Sequence, residues 1–211
     1  LCRCTGYKPI IKAAKSLNNK KKVDQFTKNK KNVIKLLKKI DNESIVIYKK
    51  DKKYFAPRYV QELKKILKKN TNSHFLSGGT DLSLTVTKER KDINSLIYIN
   101  SINELNYIRN NNKYIEVGAA TPLTVVESYI KKYYPDFTDI LKRYGSIQIR
   151  NVATIGGNLA SASPIGDSSP ALLALNSSLL IQGRIQREVH INKFFKSYRK
   201  TALKNKEFIK E

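Results

Sequence analysis

The apolar positions change period along the chain, and the changes mark its elements. Ile10, Ile11, Ala13, Ala14 and Leu17 recur at helical spacing, which predicts a helix after Pro9. Lysine then dominates from NNKKK to KKDKK. Within that tract VIKLLKKI offers a short amphipathic face of Val33, Leu36, Leu37 and Ile40, and the whole reads most simply as a solvated linker. From Tyr54 the texture is that of a packed domain. Ala56 and Pro57 end a strand, and RYVQELKKILKK gives a helix that buries Val60, Leu63, Ile66 and Leu67. HFLSGGTDLSL reads as strand, turn, strand, and LIYINSI and YIEVGAA as further strands. Thr121 and Pro122 form an N-cap and first-turn pair for a helix through Val125, Val126 and Tyr129. INKFFKSYRKTALKNKEFIKE reads as an unfinished unit. Its final strand, EFIKE, has no partner in view, which predicts that the native chain continues. The mixed order of strands and helices argues for an α+β fold.

Composition narrows the class. With 211 residues, 40% of them hydrophobic, the chain can bury a real core. No apolar run approaches the roughly 20 residues that span a bilayer, and lysines interrupt every apolar patch at the N-terminus, so no signal peptide is read. The expectation is a soluble, cytoplasmic protein without a membrane partner. The chain begins at Leu1 and contains no methionine, which reads as a fragment or a trimmed product.

The formal charge of +24 admits two readings. One is a basic module that binds nucleic acid or another anionic surface. The other is a composition bias, since lysine, asparagine and isoleucine are all abundant and the lysines are spread along the chain. No nucleic-acid motif and no regular aromatic interleaving accompanies the charge, which favours the second reading and no nucleic-acid partner. Neither His74 nor His190 has a cysteine or carboxylate at ligand spacing, so neither is assigned a role.

Glycine is the stronger signal. Five of the nine glycines fall in two stretches, Gly78 and Gly79 in LSGGTDLSL, and Gly156, Gly157 and Gly166 in TIGGNLASASPIGD. The second stretch contains no lysine or arginine. Glycine pairs beside Thr, Ser and Asn let successive backbone N–H groups turn toward one concave site, a way to hold an anionic diphosphate without a cation. A single pair would mark an ordinary tight turn. Two pairs in matching settings, each after a strand, favour the site. GxGxxG and GxxxxGK[ST] are both absent, which excludes the Rossmann and P-loop readings on their own motifs.

FLSGGTDLSL, VGAATPL and above all QIRNVATIGGNLASASPIGDSSPALLAL resemble the FAD-binding domain of the molybdenum hydroxylases, the family of xanthine dehydrogenase. LCRCTGYKPI resembles the end of that family's second [2Fe–2S] domain, and FFKSYRKTAL the segment before the flavin domain's C-terminal lobe. The resemblance implies an α+β FAD-binding domain of the PCMH/vanillyl-alcohol oxidase type, preceded by the end of a helical [2Fe–2S] domain. Residues 1–17 would be that tail, 18–53 the linker, 54–185 the FAD-binding domain and 186–211 the start of the C-terminal lobe. A cluster tail running into a flavin domain resembles the small subunit of a bacterial member, or a fused enzyme.

The same resemblance implies the site. The loop Leu76, Ser77, Gly78, Gly79, Thr80, Asp81 and Leu82 would wrap the diphosphate with backbone donors, Thr80 adding its hydroxyl. Tyr144 stands where the family has an aromatic, Thr154 and Asn158 flank Gly156 and Gly157, and Asp167 closes the second loop. Ile209 would cover the flavin ring, with Lys200 near that wall. A CxC pair by itself fits inert thiols, half of a zinc site or half of a [2Fe–2S] set; the setting CRCTGY favours Cys2 and Cys4 as cluster ligands, with the other two upstream. The implied role is an oxidoreductase subunit without catalytic side chains of its own. FAD would take electrons from [2Fe–2S] clusters and pass them to NAD or oxygen. The molybdenum cofactor would sit on a partner subunit or domain of a hetero-oligomer.

Overall fold

In the computed structural model, which describes residues 6–18, 23–40 and 43–211, the lysine-rich N-terminal tract is not linker throughout. The helix expected after Pro9 is α1 (Lys8–Asn18), and the tract expected to be linker carries α2 (Gln25–Leu37), capped by the Asp24 carboxylate, which accepts the Thr27 N–H at 2.7 Å. These helices belong to one unit, Leu1–Asn42, and the rest of the chain, Glu43–Glu211, forms another. Val33, Leu36 and Leu37 lie on α2 as expected from VIKLLKKI, and all three are exposed. Cys2 and Cys4 lie outside the described residues.

The second unit opens with β1 (Ile45–Lys49) and β2 (Lys52–Ala56), an antiparallel hairpin whose first strand falls inside the tract expected to be linker. The β-branched run IVI overrides its lysine flanks here, because β2 offers it a ladder of backbone bonds. Next come α3 (Val60–Lys69), β3 (His74–Leu76), α4 (Ser83–Thr87) and β4 (Ser95–Tyr98). The four strands make one sheet in the order β1-β2-β4-β3, in which β4 is parallel to both β2 and β3. The helical period of α3 buries Val60, Leu63 and Leu67 against Phe55 and Ile97 of this sheet, with Ile66 partly buried beside them.

The expected second strand of HFLSGGTDLSL is instead α4. Its alternating Leu82, Leu84 and Val86 imitate a strand, but Ser83 N–H donates to Gly79 and Leu84 N–H to Asp81, which winds the chain into a short helix.

β5 (Ile108–Asn110) and β6 (Ile115–Val117) form a small hairpin that leads into helices. These are α5 (Leu123–Ile130), α6 (Pro135–Arg143), α7 (Ile147–Val152), α8 (Ile155–Ala160) and α9 (Ser168–Ala174). Leu123, Val126, Phe137, Leu141 and Ile155 form the apolar cluster at their centre. Pro122, not Thr121, occupies the N-cap of α5. The Thr121 hydroxyl donates to the Tyr107 carbonyl at 3.1 Å and is spent there.

The chain ends with β7 (Ser178–Gln182), β8 (Gln186–His190), α10 (Ile191–Phe194), β9 (Phe195–Ser197), β10 (Lys200–Thr201) and β11 (Phe208–Ile209). β9 and β10 pair as a hairpin. The strand expected to lack a partner has one: β11 pairs antiparallel with β7, Ile209 opposite Ile181, in a sheet of order β11-β7-β8. Successive residues of a strand face opposite ways, so Phe208 joins the core under α3 while Ile209 joins the core around Phe194 and Ile181. Among the described residues, no helix is long and apolar enough to cross a membrane.

Candidate functional site

The segment after β3 meets the segment that opens α8, and missing side chains let them touch. A Cβ on Gly78 would lie 2.8 Å from the Ala153 nitrogen and closer still to the Val152 carbonyl. Only glycine lets these backbones pack. Gly156 has the same function against Ala119, where an added Cβ would come within 2.5 Å of the alanine methyl. Gly79 supplies the turn itself, with φ at +70°, the left-handed region that glycine enters without steric cost.

The two glycine pairs differ in what their amides do. Ile155 N–H donates to the Thr121 carbonyl at 3.3 Å, Gly156 N–H to Ala119 at 3.0 Å, and Gly157 N–H to the Thr154 hydroxyl at 3.2 Å. The expectation that both pairs turn free N–H groups into one concave site therefore fails for the second pair, whose donors the fold itself consumes. The first pair differs. The amides of Gly78, Gly79, Thr80, Asp81 and Leu82 donate to no acceptor among the described residues.

Both segments line one cleft of about 700 Å³. The first contributes residues 77–82. The second contributes Thr154, Gly156, Gly157 and Asn158, then Ser161, Ser163 and residues 165–167. Tyr144 and Gly145 close one side, and Leu203, Phe208 and Ile209 form an apolar wall. Of the residues that sequence brought forward, Leu76 lies behind the first segment in β3. Lys200 stands exposed on β10, away from the cleft lining. The residue of that hairpin that reaches the cleft rim is Arg199, whose guanidinium donates to Asp81 at 3.2 Å. Among the described residues, no lysine or arginine lines the cleft. No group of three or more His, Cys, Asp or Glu among them is arranged to hold a metal ion.

Hydrogen bonds order the side of the cleft around Tyr144. The Asn158 amide nitrogen donates to the Tyr144 hydroxyl at 2.8 Å, and its oxygen accepts from the Ser168 hydroxyl. Burial pushes the Tyr144 phenol above its ordinary value; the bond from Asn158 acts the other way, and the Asp167 and Asp81 carboxylates add to the rise. The phenol therefore keeps its proton across the neutral range. Asp167 itself is exposed and makes no hydrogen bond with another described residue.

A fixed ion pair holds the apolar wall in place. Arg187 on β8 binds both oxygens of Glu207, at 3.0 and 2.6 Å, and donates to the Ala202 carbonyl at 2.7 Å. Glu207 also accepts the Lys204 N–H at 2.8 Å. Together these bonds fix the turn that carries Leu203, Phe208 and Ile209. Planar, bidentate Arg–carboxylate geometry suits such a brace. Neither residue was legible as a pair in the sequence, because twenty positions separate them.

The family described as the FAD binding domain in molybdopterin dehydrogenase matches residues 48–211, and the chain belongs to it. Xanthine dehydrogenase of Emericella nidulans is 26% identical over 265 residues, covering 96% of this chain and 19% of that protein. The nicotinate dehydrogenase FAD-subunit of Eubacterium barkeri is 32% identical over 151 residues, covering 69% of this chain and 51% of that subunit. A solved carbon monoxide dehydrogenase from Hydrogenophaga pseudoflava superposes with a TM-score of 0.71 at 27% identity, covering 77% of this chain and 58% of that one. The chain thus spans about a fifth of the xanthine dehydrogenase it matches and about half of the FAD-subunit.

The cleft fits the dinucleotide that the family name specifies. The amides at 78–82 donate to no acceptor among the described residues and would be available to a diphosphate, the described cleft lining holds no lysine or arginine, and the cleft's volume lies in the range of cofactor pockets.

Proposed function

We propose that this chain is the flavin-holding part of a xanthine dehydrogenase-like molybdenum hydroxylase and serves electron transfer. The observation that carries this reading is the row of amides from Gly78 to Leu82, which belong to a segment lining the cleft and lack acceptors among the described residues, none of whose lysines or arginines lines it. Such an arrangement suits a diphosphate, whose charge backbone dipoles neutralise. When bound, FAD would accept electrons singly and release them in pairs, chemistry that belongs to the cofactor.

This chain's own residues would bind and orient. The 78–82 segment would hold the diphosphate, Tyr144 and Asn158 would fix one side, and Ile209, Phe208 and Leu203 would exclude water from the ring. In the full reading, [2Fe–2S] clusters deliver the electrons, Cys2 and Cys4 belong to one cluster's ligand set, and NAD is the acceptor. A molybdenum-binding subunit or domain completes a cytoplasmic hetero-oligomer. The nicotinate dehydrogenase FAD-subunit, by its name, is a separate flavin subunit, which supports this division of labour.

Titrating the purified chain with FAD tests the reading. Quenching of flavin fluorescence with one FAD per chain, followed by bleaching of the bound flavin with NADH under anaerobic conditions, is the expected result. A chain that leaves FAD free in solution is not a flavin domain, and one that holds FAD without bleaching contradicts the NAD step alone.

A further inference from the structure

We infer that Ser168, which does not line the cleft, sets the direction of the hydrogen bonds around Tyr144 and makes its phenol a donor to the bound dinucleotide. The inference rests on the cleft's being the FAD site.

Ser168 opens α9 and is fully buried. Its hydroxyl meets the Asn158 side-chain oxygen, and the Asn158 nitrogen meets the Tyr144 hydroxyl at 2.8 Å. The two ends of an asparagine amide are nearly equal in shape, so two arrangements compete. In one, Ser168 donates to Asn158, Asn158 donates to Tyr144, and the proton left over is the phenolic one. In the other the amide is turned: Tyr144 donates to Asn158, Asn158 donates to Ser168, and the leftover proton is that of Ser168.

Burial decides between them. The Ser168 hydroxyl makes no other hydrogen bond among the described residues, so the turned arrangement would strand an O–H in the core. An unsatisfied buried donor is costly, whereas a donor facing water or ligand is not. Tyr144 is only partly buried and lines the cleft, so its proton finds an acceptor there. Ser168 thus holds Asn158 in one orientation, and Asn158 in turn keeps the Tyr144 lone pair occupied and its proton directed into the cleft. Ser168 is a positioning residue that acts through two others.

The test is a double-variant cycle on FAD affinity in the full chain, read by flavin fluorescence. Ser168→Ala removes the reason for the amide to stay in place, so Tyr144 can donate to Asn158 instead of to the ligand. Tyr144→Phe removes the donor outright. Each is expected to weaken FAD by about three- to tenfold, the range for one hydrogen bond, and the double variant is expected to be no weaker than Tyr144→Phe alone.

A merely structural serine would weaken FAD equally in both backgrounds, and additive losses would overturn the inference. So would a Ser168→Ala chain with unchanged affinity beside a weakened Tyr144→Phe chain. Should Ser168→Ala not fold, Ser168→Cys, with its weaker S–H donor, is expected to give a smaller loss in the Tyr144 background and none in the Tyr144→Phe background; a loss in both overturns the inference. A wild-type chain that takes up no FAD defeats the functional reading itself, and this inference with it.

Discussion

Ser77 and Thr154, 77 residues apart, share a hydrogen bond of 2.9 Å that joins the two glycine segments. Its direction follows from its neighbours. Ser77 donates its proton to the Asn100 side-chain oxygen at 2.5 Å, and Gly157 N–H donates to Thr154, so Thr154 must donate to Ser77. Thr154 is 2% exposed, and removing its hydroxyl would take away the partner of both the Gly157 amide and the Ser77 hydroxyl. Thr154→Val is expected to lower unfolding free energy by about 1–3 kcal/mol, as measured by urea denaturation. FAD affinity should fall with it, because the register between the segments loosens.

The glycines separate close packing from turn conformation. Gly78→Ala drives a methyl into the Val152 and Ala153 backbone, which cannot swing aside as a side chain can. Gly79→Ala meets only the end of the Leu76 side chain, at 3.2 Å, and is disfavoured chiefly by its φ of +70°. Thermal unfolding of the two apo variants should therefore rank Gly78→Ala as the more damaging. Gly79→Ala is expected to cost about 1–2 kcal/mol. Equal midpoints would contradict the close approach at Gly78.

The brace behind the apolar wall carries a pH signature. The bonds from Arg187 hold the Glu207 carboxyl below its ordinary value of 4.5, opposed by burial. A carboxyl lowered in the folded state contributes stability that is fully present above its unfolded value, and loses it as pH falls through the folded one. Stability should therefore decline from about pH 5 downward, with the Glu207 share absent from an Arg187→Gln variant. At neutral pH that variant is expected to be less stable by about 2 kcal/mol, since Glu207, 11% exposed, is left without its partner. Parallel urea titrations at several pH values would show a shallower acid slope for the variant.

Amide exchange distinguishes the segments directly. Gly156, Gly157 and Asn158 donate within the fold, and the amides at 78–82 donate to no acceptor among the described residues. Deuterium uptake without FAD should be fast across 78–82 and slow across 156–158. Adding FAD should slow the first group and leave the second nearly unchanged. Equal protection of both groups in the absence of ligand would be inconsistent with the bonding described above.

Much of this architecture was legible in the chain, where local pattern and tertiary demand agreed. The period of Val60, Leu63 and Leu67 gave α3, and the glycine pairs marked the residues that meet at the cleft. Local cues misled where a partner distant in sequence decided. Leu82, Leu84 and Val86 alternate like a strand, yet turn bonds wind them into α4. EFIKE looked unpaired because its partner β7 lies some 25 residues back. Lys200 was brought forward where its neighbour Arg199 makes the contact, since adjacent residues of a tight hairpin point differently and composition cannot choose between them. Ser168 carried no sequence signal beyond following Asp167. Its importance arises only from burial against Asn158.

The spent amides of the second glycine pair have a consequence for how such a domain can change over generations. Gly156 is required by its packing on Ala119, with or without a cofactor, whereas the amides from Gly79 through Leu82 donate to no acceptor among the described residues. A descendant that abandoned flavin would still be selected to keep TIGG for its fold, and Gly79 for its turn, while Thr80, whose side chain makes no hydrogen bond with another described residue, would be released to drift. Within this lineage, drift at Thr80 beside an intact TIGG would therefore mark a domain retained as scaffold after its redox role was lost.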